Sequence, residues 1–269
     1  MENRSNHMNT LKVLRQIDQR LWLVIDPTQR FSNRVVNYVK YRPHYPSTLL
    51  EFCQTTLGLT PAHIIADIGA GTGISSELFI ANGNTVYGIE PNEAMRTAAI
   101  EKYTDQPLFH AIDGRAEATT LQDSSVDVVI VGQAFHWFDQ QAFEAEARRI
   151  LKPGGWLVIM WNTRTADSEF NSKYEELCVH FGVDYKDVHH EAHRDGKLLD
   201  HMEKTILENC QQLDLEGLTG RFLSSSYSPT SDHPEYKMLL RDIYMLFQEY
   251  QTNGKITIKY DTEVFYTQF

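Results

Sequence analysis

Short apolar runs alternate with amphipathic stretches along most of this chain. Residues 64–68 and 125–132 are largely apolar, which is typical of parallel strands that are covered on both faces. Further segments are rich in β-branched and aromatic residues, and stretches with helical spacing separate them. The pattern predicts strands at residues 64–68, 85–90, 108–112, 125–132 and 156–161, and helices at 47–57, 74–82, 92–103 and 143–151. This alternation indicates an α/β fold.

The N-terminal part of the chain carries a helical pattern of its own. Apolar residues recur every three or four positions over residues 11–25, which predicts an amphipathic helix. We expect it to form part of a lid over the ligand site. Residues 168–200 predict charged, histidine-rich helices, which we interpret as a second cover or an insertion.

The C-terminal part predicts two more strands. Residues 211–216 are expected to form the sixth strand, and residues 218–226 a helix or turn. A long helix is predicted at 236–250. Residues 255–269 alternate strongly after an Asn-Gly turn, which predicts a seventh, antiparallel strand.

One acidic residue and three glycines mark the end of the first predicted strand. Asp67 precedes Gly69, Gly71 and Gly73, and such glycines let the backbone approach a ligand without a Cβ in the way. A dinucleotide fingerprint, G-x-G-x-x-G, would need its third glycine where Ile74 stands, which argues against a nicotinamide cofactor. The order D-x-G-x-G-x-G resembles motif I of the class I S-adenosylmethionine (SAM)-dependent methyltransferases. The alternative is a glycine turn that only forms a hairpin or a helix cap and binds no ligand.

Glu90 ends the second predicted strand, 23 residues after Asp67. A βαβ unit places an acid at about this distance beside the ribose of an adenosine ligand, where it can accept both hydroxyls. The alternative is a surface glutamate that caps the helix beginning near Pro91. With the glycine turn in register, we favour the ribose interpretation.

Residues 38–46 form an aromatic, proline-rich segment before the helix predicted at 47–57. The segment resembles the Y-x-x-x-R-P-x-Y-P entrance of small-molecule methyltransferases related to trans-aconitate methyltransferase. In that family the arginine and the tyrosine reach over the methionine end of SAM, and they match Arg42 and Tyr38. A guanidinium can hold the cofactor carboxylate, and aromatic rings can shelter the sulfonium. The alternative is a surface turn with its arginine extended into water.

Residues 113–117 follow the third predicted strand and resemble the methyltransferase segment G-x-A-E, which edges the adenine ring. Arg115 stands where family members often carry aspartate, so the resemblance assigns this contact to Glu117 or to the Ala116 backbone. Met95 is a further candidate to lie against the adenine, although a core methionine is the commoner role.

Residues 133–139 follow the fourth predicted strand and closely resemble Q-A-x-H-W-F-D of the same methyltransferases. In an open parallel sheet, ligands lie outside the carboxyl ends of the strands. Gln133 and His136 are therefore candidates to contact the ligands, and His136 is the candidate catalytic base, because histidine accepts protons near pH 7. The alternative for His136 is a structural role. Trp137 and Phe138 are predicted to line the pocket.

The resemblance implies the class I methyltransferase (Rossmann-like) fold, with a seven-stranded sheet in the order 3-2-1-4-5-7-6, one antiparallel strand and helical lid elements. It implies methyl transfer from SAM to an oxygen, a carboxylate included, or to a nitrogen of a small-molecule acceptor, with S-adenosylhomocysteine as the product. We expect the acceptor near His136, Trp161 and Arg164. The implied cofactor-binding residues are Tyr38, Arg42, Asp67, Gly69, Ala70, Gly71, Gly73, Glu90, Pro91, Met95, Ala116, Glu117, Gln133 and His136.

Three other functions stay open at this point. An RNA or protein methyltransferase is disfavoured, because the N-P-P-Y motif of amino-nitrogen enzymes is missing after the fourth strand. A non-catalytic SAM-binding protein is disfavoured by the complete glycine motif and Glu90. A nicotinamide dehydrogenase is disfavoured by Ile74.

Composition narrows the class of protein further. The chain has 269 residues, 42% of them hydrophobic, and a formal charge of −11, which argues against a nucleic-acid partner. Its apolar runs fall short of the roughly 20 residues of a membrane helix, and we expect a soluble, cytoplasmic monomer or homodimer. The three scattered cysteines predict reduced thiols. The histidines at 187–193 do not match H-E-x-x-H, and no metal site is predicted.

We divide the chain into four parts on these grounds. They are an N-terminal lid and entrance segment (1–46), a SAM-binding core (47–162), a helical cover or insertion (163–209), and the C-terminal part of the sheet with strands six and seven (210–269).

Overall fold

The computed structural model describes residues 35–183, 185 and 198–269. The helix predicted at residues 11–25 and the histidines at 187–193 lie outside the described residues. The helices are α1 (Val35–Tyr41), α2 (Ser47–Thr56), α3 (Glu77–Ala81), α4 (Glu93–Lys102), α5 (Gln140–Ile150), α6 (Glu169–Phe181), α7 (Leu215–Leu223) and α8 (Tyr236–Tyr250). The strands are β1 (Ile64–Ile68), β2 (Thr85–Ile89), β3 (Phe109–Ile112), β4 (Val126–Gly132), β5 (Leu151–Arg164), β6 (Glu203–Leu213) and β7 (Ile256–Gln268).

In the described part of the chain, seven strands form one sheet in the order β3-β2-β1-β4-β5-β7-β6. Neighbouring strands from β1 to β5 pair in parallel, whereas β7 runs antiparallel to β5 and β6. The predicted seven-stranded sheet and its order are confirmed. The order reverses between β1 and β4, whose ladder pairs Asp67 with Ile130 near the carboxyl ends. Such a switch point is the usual ligand position in an open α/β sheet.

The central strands place alternating side chains in two apolar layers, one on each face of the sheet. On β1, Ala66 and Ile68 belong to one layer and Ile65 belongs to the other. Helix α5 covers the first layer, and α2 and α3 cover the second. A third apolar cluster joins α6, α7 and α8 to the start of β7. The central strands are thus covered on both faces, which explains their apolar sequences.

The sixth strand was predicted wrongly at residues 211–216. β6 is Glu203–Leu213, and α7 begins two residues later because Asp214 caps it, its Oδ1 accepting the N–H of Gly217 at 2.7 Å. β6 lies at the edge of the sheet, and Ile206 on it is 54% exposed. An edge strand with one exposed face has no continuous apolar run to mark it.

Three helices begin elsewhere than predicted, among them α7, which starts at Leu215 rather than at residue 218. α3 is shorter than the predicted 74–82, because residues 71–76 form turns in which the Ser75 and Ser76 hydroxyls donate to Asp67. α5 begins three residues before the predicted start, since Asp139 accepts the N–H of Ala142 at 3.1 Å as the N-cap.

β5 begins at Leu151, five residues before the predicted start at 156, and residues 152–155 form a bulge within it. β5 pairs with β4 on both sides of the bulge, at Leu151 and at Trp156. Gly154 has a φ of 79°, a conformation that favours glycine.

Candidate active site

A cavity of about 450 Å³ lies at the carboxyl ends of β1, β4 and β5. The glycine loop after β1, the segment after β4, the end of β5 and parts of α6 and α7 line it, together with the chain before α2. Six of the predicted cofactor-binding residues share this cavity: Tyr38, Arg42, Gly69, Ala70, Gln133 and His136. Eight others are not among the residues that line it: Asp67, Gly71, Gly73, Glu90, Pro91, Met95, Ala116 and Glu117.

The three glycines of the loop all have positive φ, between 56° and 77°, but they serve different purposes. A Cβ at Gly69 would lie 2.6 Å from the Cβ of Ala134, and one at Gly73 would lie 2.5 Å from the Tyr103 ring. A Cβ at Gly71 would meet nothing within 4 Å. Gly69 and Gly73 are therefore needed for packing, whereas Gly71 borders open space that a ligand can approach.

Asp67 lies behind the glycine loop and is fully buried. Its Oδ2 accepts hydrogen bonds from the hydroxyls of Ser75 and Ser76, both at 2.6 Å, while its Oδ1 has no partner. Burial raises the pKa of Asp67 to about 6, against the opposing effect of the two hydroxyls. Asp67 thus ties the end of β1 to the turns before α3, and its contact with a cofactor stays a prediction.

Glu90 is held beside the loop by two backbone N–H groups. Its Oε2 accepts from Gly71 at 2.9 Å, and its Oε1 accepts from Asn92 at 2.8 Å. The N-cap of α4 is Asn92, so Glu90 contacts the cap residue and the loop rather than capping the helix from the surface, and its contact with a ribose stays a prediction. Burial raises the pKa of Glu90, while these two N–H groups act to lower it. Each carboxylate oxygen retains a lone pair, which leaves room to accept a ligand hydroxyl.

Pro91 and Met95 lie close by in sequence, at the start of α4. The Pro91 carbonyl accepts from Arg96 Nη1 at 3.2 Å. Met95 is 3% exposed, and its N–H donates to the Asn92 side chain at 3.0 Å. Their contacts with an adenine ring stay predictions.

Ala116 and Glu117 follow β3, as predicted. Ala116 is buried in the first apolar layer. Glu117 Oε1 accepts the N–H of Asp139 at 3.0 Å, and its Oε2 lies 3.7 Å from Arg115 Nε. Glu117 therefore joins the segments after β3 and β4, and its role toward adenine also stays a prediction.

Arg42 is a partly buried cation at the cavity rather than an arginine extended into water. Its Nη2 donates to the Ser224 carbonyl at 3.0 Å, and its Nε is buried without a hydrogen-bond partner. The Tyr38 ring lies 4.8 Å from its guanidinium carbon. Burial lowers the pKa of Arg42, and the neighbouring Arg221 lowers it further. A ligand carboxylate would relieve both effects.

Gln133 and His136 line the cavity just after β4. Gln133 has a φ of 60°, which is uncommon for a residue other than glycine, and its side-chain amide donates to the Asn162 carbonyl at 3.3 Å. His136 lies in a short 3₁₀ turn with its ring 4.6 Å from the Trp137 ring. Strain of this kind at a cavity is common at functional sites.

Of the predicted aromatic lining residues, Trp137 faces the cavity and Phe138 does not. Phe138 packs against Phe135 and Phe143 in the first apolar layer, below Gly69. Trp161 is likewise fully buried in that layer. Phe138 and Trp161 fill the core instead, and the small residues Gly69 and Ala70 of the glycine loop line the cavity.

Charged residues that the sequence analysis did not select also line the cavity. Arg221 on α7 is 4% exposed, and its Nε and Nη1 donate to Tyr260 (3.3 Å) and Ser225 (3.2 Å). Glu175 on α6 accepts from Arg164 Nη2 at 2.5 Å. An arginine inside the apolar face of a helix was the signal that could have identified Arg221.

The described residues contain no group of three or more His, Cys, Asp or Glu side chains placed to hold a metal ion. None of the described helices has the length and apolar character needed to cross a membrane. The cysteines are free thiols, with Cys53 and Cys178 buried and Cys210 exposed.

Comparisons with known proteins agree with this geometry. A family model described as a methyltransferase domain matches residues 66–159. An uncharacterized methyltransferase of Mycobacterium bovis is 34% identical over 139 residues, or 52% of this chain and 54% of that protein. One from Schizosaccharomyces pombe is 30% identical over 155 residues, or 55% of this chain and 58% of that protein. The chain therefore spans about half the length of the curated relatives it matches.

A solved structure shares the fold over most of the chain. The protein, provisionally named a type II methyltransferase from Anaeromyxobacter dehalogenans, has a TM-score of 0.62 at 22% identity, covering 85% of this chain and 98% of that one. The matched family region contains the glycine loop, Glu90 and the segment after β4. These matches show that residues 66–159 are similar to a methyltransferase domain, and the order of the sheet shows that the chain has the fold of the class I SAM-dependent methyltransferases, whose cofactor is S-adenosylmethionine.

Proposed function

We propose that this protein transfers a methyl group from SAM to an oxygen or nitrogen of a small-molecule acceptor bound in the cavity. The observation that carries the proposal is the convergence of the glycine loop, Arg42, Gln133 and His136 on one cavity. Its volume of about 450 Å³ lies within the range of small-ligand pockets. The formal charge of −11 disfavours a nucleic acid as the acceptor.

The residues present fit the cofactor. Gly71 borders open space, and Glu90 keeps acceptor capacity beside it for ribose hydroxyls. Arg42 offers its buried, unpartnered Nε to a carboxylate. When bound, SAM supplies an electrophilic methyl group whose bonding electrons remain on sulfur.

The chain contributes binding, orientation and proton removal. Arg42 and the glycine loop would hold the cofactor, and the helical cover would keep water out, so that much of the rate enhancement comes from positioning. His136 is the residue we assign to accept the proton from a hydroxyl or amine as the nucleophile loses it. An acceptor that is already ionised would not need this step.

Calorimetry with S-adenosylhomocysteine tests the binding part. We expect Arg42→Met to weaken binding about tenfold to hundredfold, the usual cost of a charge-assisted hydrogen bond, and the exposed Arg241→Met to change nothing. Equal affinities in the two variants, or no binding by the unmodified protein, would contradict the proposal.

Methyl transfer from labelled SAM to a metabolite panel tests the catalytic part. We expect a methylated small molecule, and a loss of about 100-fold or more in kcat for His136→Asn that is much larger than any loss of cofactor affinity. His180→Asn, on the exposed side of α6, is the matched control. Labelling of RNA or protein alone would favour a macromolecular acceptor, and cofactor binding without any product would indicate a non-catalytic protein.

A further inference from the structure

The charges that line the cavity do not balance. Among the residues that the structure describes, three guanidinium groups line it, those of Arg42, Arg164 and Arg221, and one carboxylate does, that of Glu175. Buried charges are costly unless they are paired. The cavity therefore carries an excess of positive charge within a chain whose formal charge is −11. A bound anion would remove that excess.

Arg164 already has its partner. Its Nη2 donates to Glu175 at 2.5 Å and to the Tyr185 hydroxyl at 2.9 Å, and Tyr185 donates to the other oxygen of Glu175. This arrangement is a neutral ion pair with an added hydrogen bond. Its net charge gives little attraction for a further anion, although the Nε of Arg164 is buried without a hydrogen-bond partner.

Arg42 and Arg221 remain without carboxylates among the described residues. Under the proposed function, Arg42 binds the carboxylate of the cofactor. Within the described part of the chain, Arg221 then stays as a cation without a carboxylate partner, and its hydrogen-bond partners there are the neutral hydroxyls of Tyr260 and Ser225. Because Arg221 is only 4% exposed, bulk water screens its charge weakly.

We propose that the acceptor is a small monocarboxylic acid whose carboxylate binds Arg221. The proposal rests on the proposed function and deepens it by naming the chemical class of the acceptor. The rest of the acceptor is uncharged, since the Arg164–Glu175 pair offers no net charge. The rings of Trp137, Tyr185 and Tyr227 line the same cavity and suit an apolar or aromatic body.

Calorimetry of the protein saturated with S-adenosylhomocysteine tests this assignment with defined probes. The probes are benzoate, phenylacetate and cinnamate, each beside its amide, which has nearly the same shape but no charge. We expect at least one acid to bind at least tenfold more tightly than its amide. Arg221→Met, which keeps much of the side-chain volume, should remove that preference, and Arg221→Lys should restore part of it. Arg241→Met, on the surface of α8, is the control.

A second variant tests the charge count by a gain of binding. Glu175→Gln removes the one carboxylate among the described residues that line the cavity and releases the charge of Arg164. We expect the affinity for isophthalate, a dicarboxylate, to rise at least tenfold in this variant, while the affinity for benzoate changes less. The unmodified protein should bind isophthalate no better than benzoate.

The outcomes separate this inference from the function on which it rests. If S-adenosylhomocysteine binds but no acid does, or acids bind equally well to Arg221→Met, the inference is wrong and the methyltransferase proposal stands. Tighter binding of isophthalate than of benzoate by the unmodified protein also contradicts the inference. If S-adenosylhomocysteine itself does not bind, the proposed function fails first.

Discussion

Replacing Asp67 with asparagine would remove a carboxyl group that the fold buries completely behind the glycine loop. Asparagine has nearly the same shape, and its amide oxygen can still accept the hydroxyls of Ser75 and Ser76. The change therefore isolates the cost of ionising the buried acid. We expect the variant to be more stable than the unmodified protein at neutral pH.

The size and the sign follow from the pKa of Asp67. Burial raises it from 3.8 to about 6, so the folded state holds its proton more tightly than the unfolded state does. The stability that this proton provides is fully present below about pH 4 and is lost as the pH rises through 6. A shift of about 2 units corresponds to about 3 kcal/mol. Asp67→Asn should match the unmodified protein near pH 4 and exceed its stability by about 3 kcal/mol at pH 7.

Urea unfolding followed by circular dichroism at pH 4, 5, 6 and 7 measures this difference. Asp127→Asn is the matched control with the opposite sign. Burial alone would raise the pKa of Asp127, but the N–H of Ile64 and the ammonium of Lys152 outweigh burial and lower it. Asp127→Asn should therefore lose stability at neutral pH. A constant gap between Asp67→Asn and the unmodified protein at every pH would refute the reasoning, because the acid would then titrate alike in both states.

Two further predictions concern local structure. Gly73→Ala should lower the melting temperature far more than Gly71→Ala, because only the former places a Cβ against Tyr103, at 2.5 Å. A similar loss in both variants would mean that positive φ alone sets the cost. Asp139→Ala should lower the free energy of unfolding in urea by about 1 kcal/mol, since the first turn of α5 loses the acceptor for the Ala142 N–H. Asp139→Asn, which keeps a side-chain acceptor, should lose less. Equal losses in the two variants would show that the cap is unimportant.

The central sheet could be predicted because its signals are local. β1 and β4 are apolar runs that end at the ligand side, and an acid and glycines follow β1 directly. The long helix at Tyr236–Tyr250 was predicted to the residue from its apolar spacing. The order of the strands is different, since it came from the resemblance to methyltransferases. Periodicity alone contains no information on which strands are neighbours.

The missed features depend on tertiary contacts. Among the described strands, β6 pairs only with β7, and its polar, half-exposed sequence does not distinguish it from a loop. Phe138 was assigned to the pocket because it is aromatic and follows β4, but its ring fills space below Gly69. Neither outcome can be read from neighbouring residues, because each depends on which distant segment supplies the contact.

The division between the two sides of the cavity explains why likeness to other proteins identifies the cofactor more readily than the acceptor. The region that matches the methyltransferase family ends at residue 159, and it contains the glycine loop, Glu90 and His136. The charged residues that we assign to the acceptor side, Arg164, Glu175 and Arg221, all come after it. They reach the cavity from β5, α6 and α7, and the third apolar cluster packs α6 and α7 together. The acceptor is therefore selected by residues outside the matched region, and its chemical class has to be inferred from the charges of those residues.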